Sequence, residues 1–305
     1  MRTARDPMAG LATNLRRHVD RLAGSIGPRH LGRPRALNAA LVLIERELSS
    51  TGYTVRRLPY RVRGHEAVNL LAELPGADRA REVVILGAHY DTVETTPGAD
   101  DNASAVAVLL EVARMLRPLK PQRTVRFVAF PCEEPPHFWT GEMGSQVYAR
   151  QCREGNDRIV GMLCLEMVGF YSSQPNSQSI PEEIPRALRW ALPHRGNFLA
   201  AVGNFRSWRL VWAFRRGFKR AVRFPLYSIA LPEAVHAIRF SDNSSFWDQG
   251  YPALMLTDTS FLRNPHYHQS SDTPETLDYD RMAHVAMGVT GAVAHLARAK
   301  ATFHQ

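Results

Sequence analysis

Cysteine is scarce in this chain: Cys132, Cys152 and Cys164 are three in 305 residues, an odd set with no CxxC spacing. That excludes a disulfide-built scaffold and a thiolate metal site, and leaves buried thiols as the reading. Long apolar runs are missing too. The longest, "VVILGA" and "PALML", are of strand length, far short of the roughly 20 residues that a bilayer span needs. Charges interrupt every apolar stretch of "MRTARDPMAGLATNLRRHVDRLAG", so no secretory h-region is read there; the segment is assigned to the fold and the chain is expected to be cytoplasmic. Nor does a nucleic-acid reader motif accompany the net charge of +9, whose arginines are scattered; no nucleic-acid partner is expected.

What is present is an ordinary globular core, 45% hydrophobic, enough for one large α/β domain. "RALNAALVLIERELSSTGY" reads as an amphipathic helix closed by Gly52 and "VVILGAHYD" as a buried strand. From there helices ("NASAVAVLLEVARML", "GSQVYARQC", "DYDRMAHVAMGVTGAVAHLARA") alternate with strands ("TVRFVAF", "RIVGMLCLEMVG", "PALMLTD"). Such alternation predicts a three-layer α/β sandwich, a central mixed, mainly parallel sheet covered by helices on both faces. Residues 1–305 are read as a single catalytic domain. Its Ser-, Pro-, Gln- and Asn-rich stretch at about 171–200 is an irregular excursion over the active-site edge. Within 205–224, Trp208, Val211, Trp212, Phe218 and Val222 fall on one side of a helical wheel, and Arg206, Arg209, Arg216, Arg220 and Arg223 on another. The expectation is a core-docked helix with a solvated basic face; the sharper alternatives are an element lying on anionic lipid or one lining the entrance for an acidic ligand.

Polar residues cluster where these strands end. His89 and Asp91 follow "VVILGA", Glu133 and Glu134 follow "TVRFVAFPC", Glu166 ends "GMLCLE", and His268 follows "PALMLTD" after a short loop. In a parallel sheet these converge on one edge, beyond the carboxyl ends of the strands, where such sheets bind ligands. Each motif alone has a plainer reading: a surface turn for H-x-D, a helix cap for Asp100-Asp101, a charged strand end for Glu133-Glu134, a buried ion pair for Glu166. Together they ask what would make a fold tolerate so many acids. Two carboxylates about 4 Å apart repel by about 4 kcal/mol at an effective dielectric of 20, and a metal site removes that cost.

"GAHYDTV", "PGADDNASA", "EEP...GS", "YPALMLTDT" and "YHQSSDTPETLDY" resemble, in order and spacing, the M28 family of co-catalytic zinc aminopeptidases. The resemblance implies a zinc-exopeptidase-like fold and two Zn2+ ions. It places His89, Asp100 and Glu166 on one side of the metal pair or bridging it, and Glu134 and His268 on the other. Glu133 is the implied general base, Asp91 the residue that orients His89, and Tyr267 an oxyanion donor. Asp101 need bind nothing, Asp272 is an outer acceptor, and His266, His137 and His284 lie outside the site. A cis peptide bond is expected at Asp100-Asp101 and a trans bond at Glu133-Glu134. Two departures stand out: Glu166 replaces the usual aspartate, and "SDN" with Asn243 replaces "SDH", leaving Ser241 and Asp242 to contact substrate or support the site. The implied activity is removal of N-terminal residues from peptides, or hydrolysis of another small amide, by metal-activated water. The alternative is a single-zinc acyltransferase like glutaminyl cyclase. A metal-free binding protein on this scaffold is disfavoured, because every ligand position keeps a coordinating residue.

Overall fold

The computed structural model describes residues 7–184, 189–190 and 192–300. Its framework is one eight-stranded sheet: β1 (Val55–Val62), β2 (His65–Leu74), β3 (Arg79–His89), β4 (Arg123–Phe130), β5 (Arg158–Glu166), β6 (Leu199–Asn204), β7 (Leu226–Leu231) and β8 (Ala253–Thr257). The spatial order is β1-β2-β4-β3-β5-β8-β6-β7. β3 pairs in parallel with β4 and β5, β5 with β8, and β6 with β7. β1–β2, β2–β4 and β6–β8 are antiparallel, so the sheet is mixed and mainly parallel, as the alternation of elements predicts.

The four strands read from sequence are the inner ones, whose apolar runs are buried on both faces. Successive side chains of β3 serve different cores: Val84 and Leu86 join one, Val83 and Ile85 the other, as the two-residue period of a strand requires. The first core is covered by α1 (Pro7–Val19), α2 (Pro34–Ser50), α3 (Ala105–Leu116), α5 (Trp208–Ala221) and α7 (Tyr279–Leu296). The second packs Tyr148 of α4 (Gly144–Glu154) and Phe246 of α6 (Asn243–Asp248) on Phe130, with Trp247 in the same cluster. β1, β2, β6 and β7 are additional to the sequence reading. β1 is an arginine-rich outer strand, β7 a short half-exposed one, and β6 consists mostly of small residues.

α5 corrects one expectation. Its buried stripe is Leu210, Val211, Phe214, Gly217, Phe218 and Ala221, whereas Trp208 and Trp212, expected inside with Val211 and Phe218, are 56% and 58% exposed. The reason is its partner. A Cβ on Gly217 would stand 2.6 Å from the Cα of Ala292 in α7, and Phe218 packs on Gly288 of the same helix, so α5 turns the face of Gly217 and Phe218 toward α7 and leaves the tryptophans on the other side.

Candidate metal centre

Because β3, β4, β5 and β8 run parallel, their carboxyl ends lie on one edge. His89 closes β3 and Glu166 closes β5, in register with Thr257 of β8. Glu133 and Glu134 follow β4, and Tyr267 and His268 lie in the loop after β8. The turn before α3 supplies the remaining acid. Gly98, left-handed at φ 64°, starts it; a Cβ there would meet the Asp101 carbonyl at 2.3 Å.

Asp101, not Asp100, faces the cluster. Its Oδ1 is 3.3 Å from His89 Nε2 and its Oδ2 is 3.2 Å from His268 Nε2. Glu166 Oε2 stands 3.4 Å from His89 Nε2, and Glu134 Oε2 3.3 Å from His268 Nε2. Two ligand-sized groups result, His89–Asp101–Glu166 and Asp101–Glu134–His268, with donor atoms in each within 4.8 Å of one another and Asp101 common to both. A third group of that kind joins His89, Glu133 and Glu134, and Glu133 Oε2 is 3.7 Å from His89 Nε2. The assignment of the shared position to Asp100 is therefore corrected by one residue. Asp100 turns the other way, accepting from Gly169 N–H at 2.8 Å and Asn264 Nδ2 at 2.7 Å. The expected cis bond moves by the same step: the cis bonds among the described residues are Asp101-Asn102 and Pro135-Pro136.

Buried groups around the cluster hold it in place. Asp91 accepts the backbone N–H groups of Glu133 and Glu134, each at 3.1 Å, and its Oδ1 is 3.5 Å from His89 Nδ1. Asp272 does the same for the other acidic pair, accepting from Asp100 N at 2.9 Å and Asp101 N at 3.1 Å. Asn102 brackets Glu166: its Nδ2 donates to the Leu165 carbonyl at 3.0 Å and its Oδ1 accepts from Met167 N at 2.9 Å. Ser241 Oγ donates to Glu166 Oε2 at 2.5 Å, so it supports that carboxylate. Asn243 donates instead to the Ile238 carbonyl. His266 pairs with Ser271, and His137 with Glu142.

Arg29 went unnoticed in the sequence, where it sits in an unremarkable "GPRH". It is fully buried and donates to the carbonyls of Tyr90, Leu22, Gly27, Pro97 and Gly98. The guanidinium thus ties the segment carrying Asp91 to the turn carrying Asp101. Burial lowers its pKa to about 10, against the pull of Asp91, Asp272 and Asp101, and it stays charged. A carbonyl-lined arginine beneath an acid cluster has no periodicity by which a sequence would reveal it.

The electrostatics describe a cluster short of positive charge. Burial raises Glu133 well above the usual carboxylate range, helped by Glu166, and raises Glu134 to about 8, helped by Asp101. Burial also raises Glu166 and takes Asp242 to about 7. Asp101 is held low although burial opposes its charge, because His268 and His89 pair with it. Those histidines are raised despite burial, His268 to about 10. Both ring nitrogens of His89 and Oε1 of Glu134 are buried without a hydrogen-bond partner. Two imidazoles and three carboxylates, desolvated and under-satisfied, form a nitrogen/oxygen donor set that fits a divalent cation such as zinc.

Beside the centre lies a cavity of about 440 Å³, reached by Asp101, Glu133, Glu134, Glu166, Tyr267 and His268 and otherwise mainly apolar. Its floor is the sheet itself. Register pairs Glu166 with Thr257, Thr257 with Ala200 and Ala200 with Tyr227, a row that leads away from the acids across the sheet. Met255, Val202 and Ile229 form the next row. Gln178, Ile180, Pro181, Ile184 and Leu192 of the irregular segment also line it.

Residues 69–293 match the model of peptidase family M28. The uncharacterized protein YfbL of Escherichia coli K12 is 36% identical over 283 residues, covering 90% of this chain and 85% of YfbL. The zinc aminopeptidase BSAP of Bacillus subtilis shares the fold, with a TM-score of 0.74 at 16% identity and coverage of 93% of this chain and 95% of that one. So does a glutaminyl cyclase of Fimbriiglobus ruber, with a TM-score of 0.67 at 20% identity and coverage of 93% and 95%. The family match runs from β2 to α7 and takes in every acid and histidine of the centre, and the chain belongs to peptidase family M28.

Proposed function

We propose that the protein is a dizinc aminopeptidase that releases N-terminal residues with apolar side chains. The observation that carries this reading is Asp101, whose two carboxylate oxygens face His89 and His268 separately, each within 3.3 Å and each histidine with its own glutamate alongside. His89 and Glu166 would hold one ion, Glu134 and His268 the other, and Asp101 both. Zinc, when bound, supplies Lewis acidity toward the scissile carbonyl and makes water a nucleophile near neutral pH.

The chain's own residues do the rest. Glu133 reaches the cavity with Oε2 3.7 Å from His89 Nε2, beside the ligand set but outside the two groups that share Asp101; as a carboxylate there it takes a proton from water and passes it to the leaving amine. Asp91 holds the Glu133 and Glu134 backbones so that the base and its neighbour keep separate directions. Tyr267 stacks on His268 with ring centroids 3.8 Å apart, and burial keeps its hydroxyl protonated; it donates to the developing oxyanion. The apolar cavity receives the first side chain and excludes water from it.

The test pairs metal titration with a substrate panel. Two equivalents of zinc and release of the first residue from aminoacyl amides are expected. One equivalent, with cyclisation of N-terminal glutamine, would instead assign the glutaminyl-cyclase reaction.

A further inference from the structure

α5 has a second non-polar face that the core does not use. Phe205, just before the helix, Trp208 and Trp212 are 60%, 56% and 58% exposed, and at spacings of three and four they form one row. Opposite them the stripe centred on Phe214 is buried against α7, so the row is on the side of the helix turned away from the protein. Between residues 205 and 224 the sequence has seven arginines and lysines and no acid. Arg209 lies over the Trp208 ring at 5.3 Å and Arg216 over Trp212 at 5.5 Å, flanking the row with positive charge.

We propose that this face docks the protein on an anionic lipid bilayer, with the aromatic row at headgroup depth and the flanking cations against lipid phosphates. Trp and Phe on one face with arginine and lysine beside them is the pattern of helices that lie in the membrane interface. Charge complementarity decides between occupants. A second copy of the chain, meeting through a two-fold axis, would set like charges against each other. A single-stranded nucleic acid is held in a groove that tracks its backbone, whereas this row stands on the outer side of a helix.

The position also serves access. Arg215 reaches Ser228 of β7 at 3.4 Å, while Tyr227 and Ile229, on either side of Ser228, line the cavity and are 44% and 39% exposed. α5 and the cavity therefore share the β7 border of the sheet. The docking does not rest on the activity proposed above.

Sedimentation with vesicles tests it. The wild-type protein is expected to pellet with phosphatidylcholine vesicles containing phosphatidylglycerol and not with pure phosphatidylcholine. The binding should be lost in about 1 M NaCl, where the Debye length is about 3 Å. Trp208→Ser/Trp212→Ser and Arg209→Glu/Arg216→Glu should each lower the partition coefficient on the order of tenfold or more while the circular dichroism spectrum is unchanged; Phe205→Ser offers a milder version if a double variant is unstable. Wild-type protein that ignores the anionic vesicles overturns the proposal. So does a tryptophan variant that binds as the wild type does, or retention of single-stranded RNA or self-association in place of vesicle binding.

Discussion

Asp100 and Asp101 are adjacent in the chain and occupy opposite environments, and substitution separates them. Asp101→Asn should abolish metal uptake at both positions, with an activity loss beyond the about 10–100-fold that removal of an outer partner costs. Asp100→Asn keeps an acceptor for Gly169 and should retain metal, losing about 1–3 kcal/mol of stability through its disturbed contacts. Metal content and urea unfolding of the two proteins check this; a metal-free Asp100→Asn protein that is otherwise folded would return the bridge to residue 100. Glu133→Gln should keep both metals and lower turnover by about two to four orders of magnitude, measured on a leucyl amide. His89, Glu133, Glu134 and Glu166 could be read from sequence, because each stands at or just past the end of an apolar strand. The choice between the two aspartates could not, since it depends on which way a turn presents each of them, and that turn is fixed by Arg29 and Asp272 from distant parts of the chain.

In the proposed function the β5–β8–β6–β7 rows are the surface that measures the substrate's first side chain. Ala200 lies one strand beyond Thr257 and two beyond Glu166, so a larger side chain there meets the far end of a bulky group before it touches a small one. Ala200→Phe should lower kcat/KM for a phenylalanyl or leucyl amide by roughly 10–200-fold, the range set by a few methylenes in an apolar pocket, with little change for an alanyl amide. Equal losses on all three would mean that the cavity floor does not contact the first side chain. The inner strands were legible as continuous apolar runs, but this floor was not. β6, "LAAVGN", carries small residues and no strong alternation, and β7 borders solvent, so neither shows the pattern by which strands are recognised. The two tryptophans of α5 were misplaced for a related reason: a helical wheel ranks faces by hydrophobicity, whereas the close approach of Gly217 to Ala292 and the seat for Phe218 on Gly288 decide which face turns toward α7.

At the scale of the whole molecule, the buried acids cost stability that a bound cation would recover. With ligand at about 100 times its dissociation constant, binding to the native state adds about 2.7 kcal/mol, and each kcal/mol moves the midpoint of a chain this long by about 1.5–2 °C. Chelation should therefore lower Tm by about 4–5 °C and zinc should restore it, as followed by calorimetry; a midpoint indifferent to both would show that the acids are compensated within the protein. The Asp272 clamp carries a different consequence, one of timing. Its partners, Asp100 and Asp101, are 172 and 171 residues earlier in the chain, and every strand of the sheet has been synthesised by Thr257. A nascent chain thus has its whole sheet before it has either His268 or the residue that fixes Asp101. Contacts of such sequence separation form slowly, so in a chain that takes metal as proposed, its capture would be the closing event of folding. A dye that reports zinc release or uptake would time the completion of the molecule rather than its collapse.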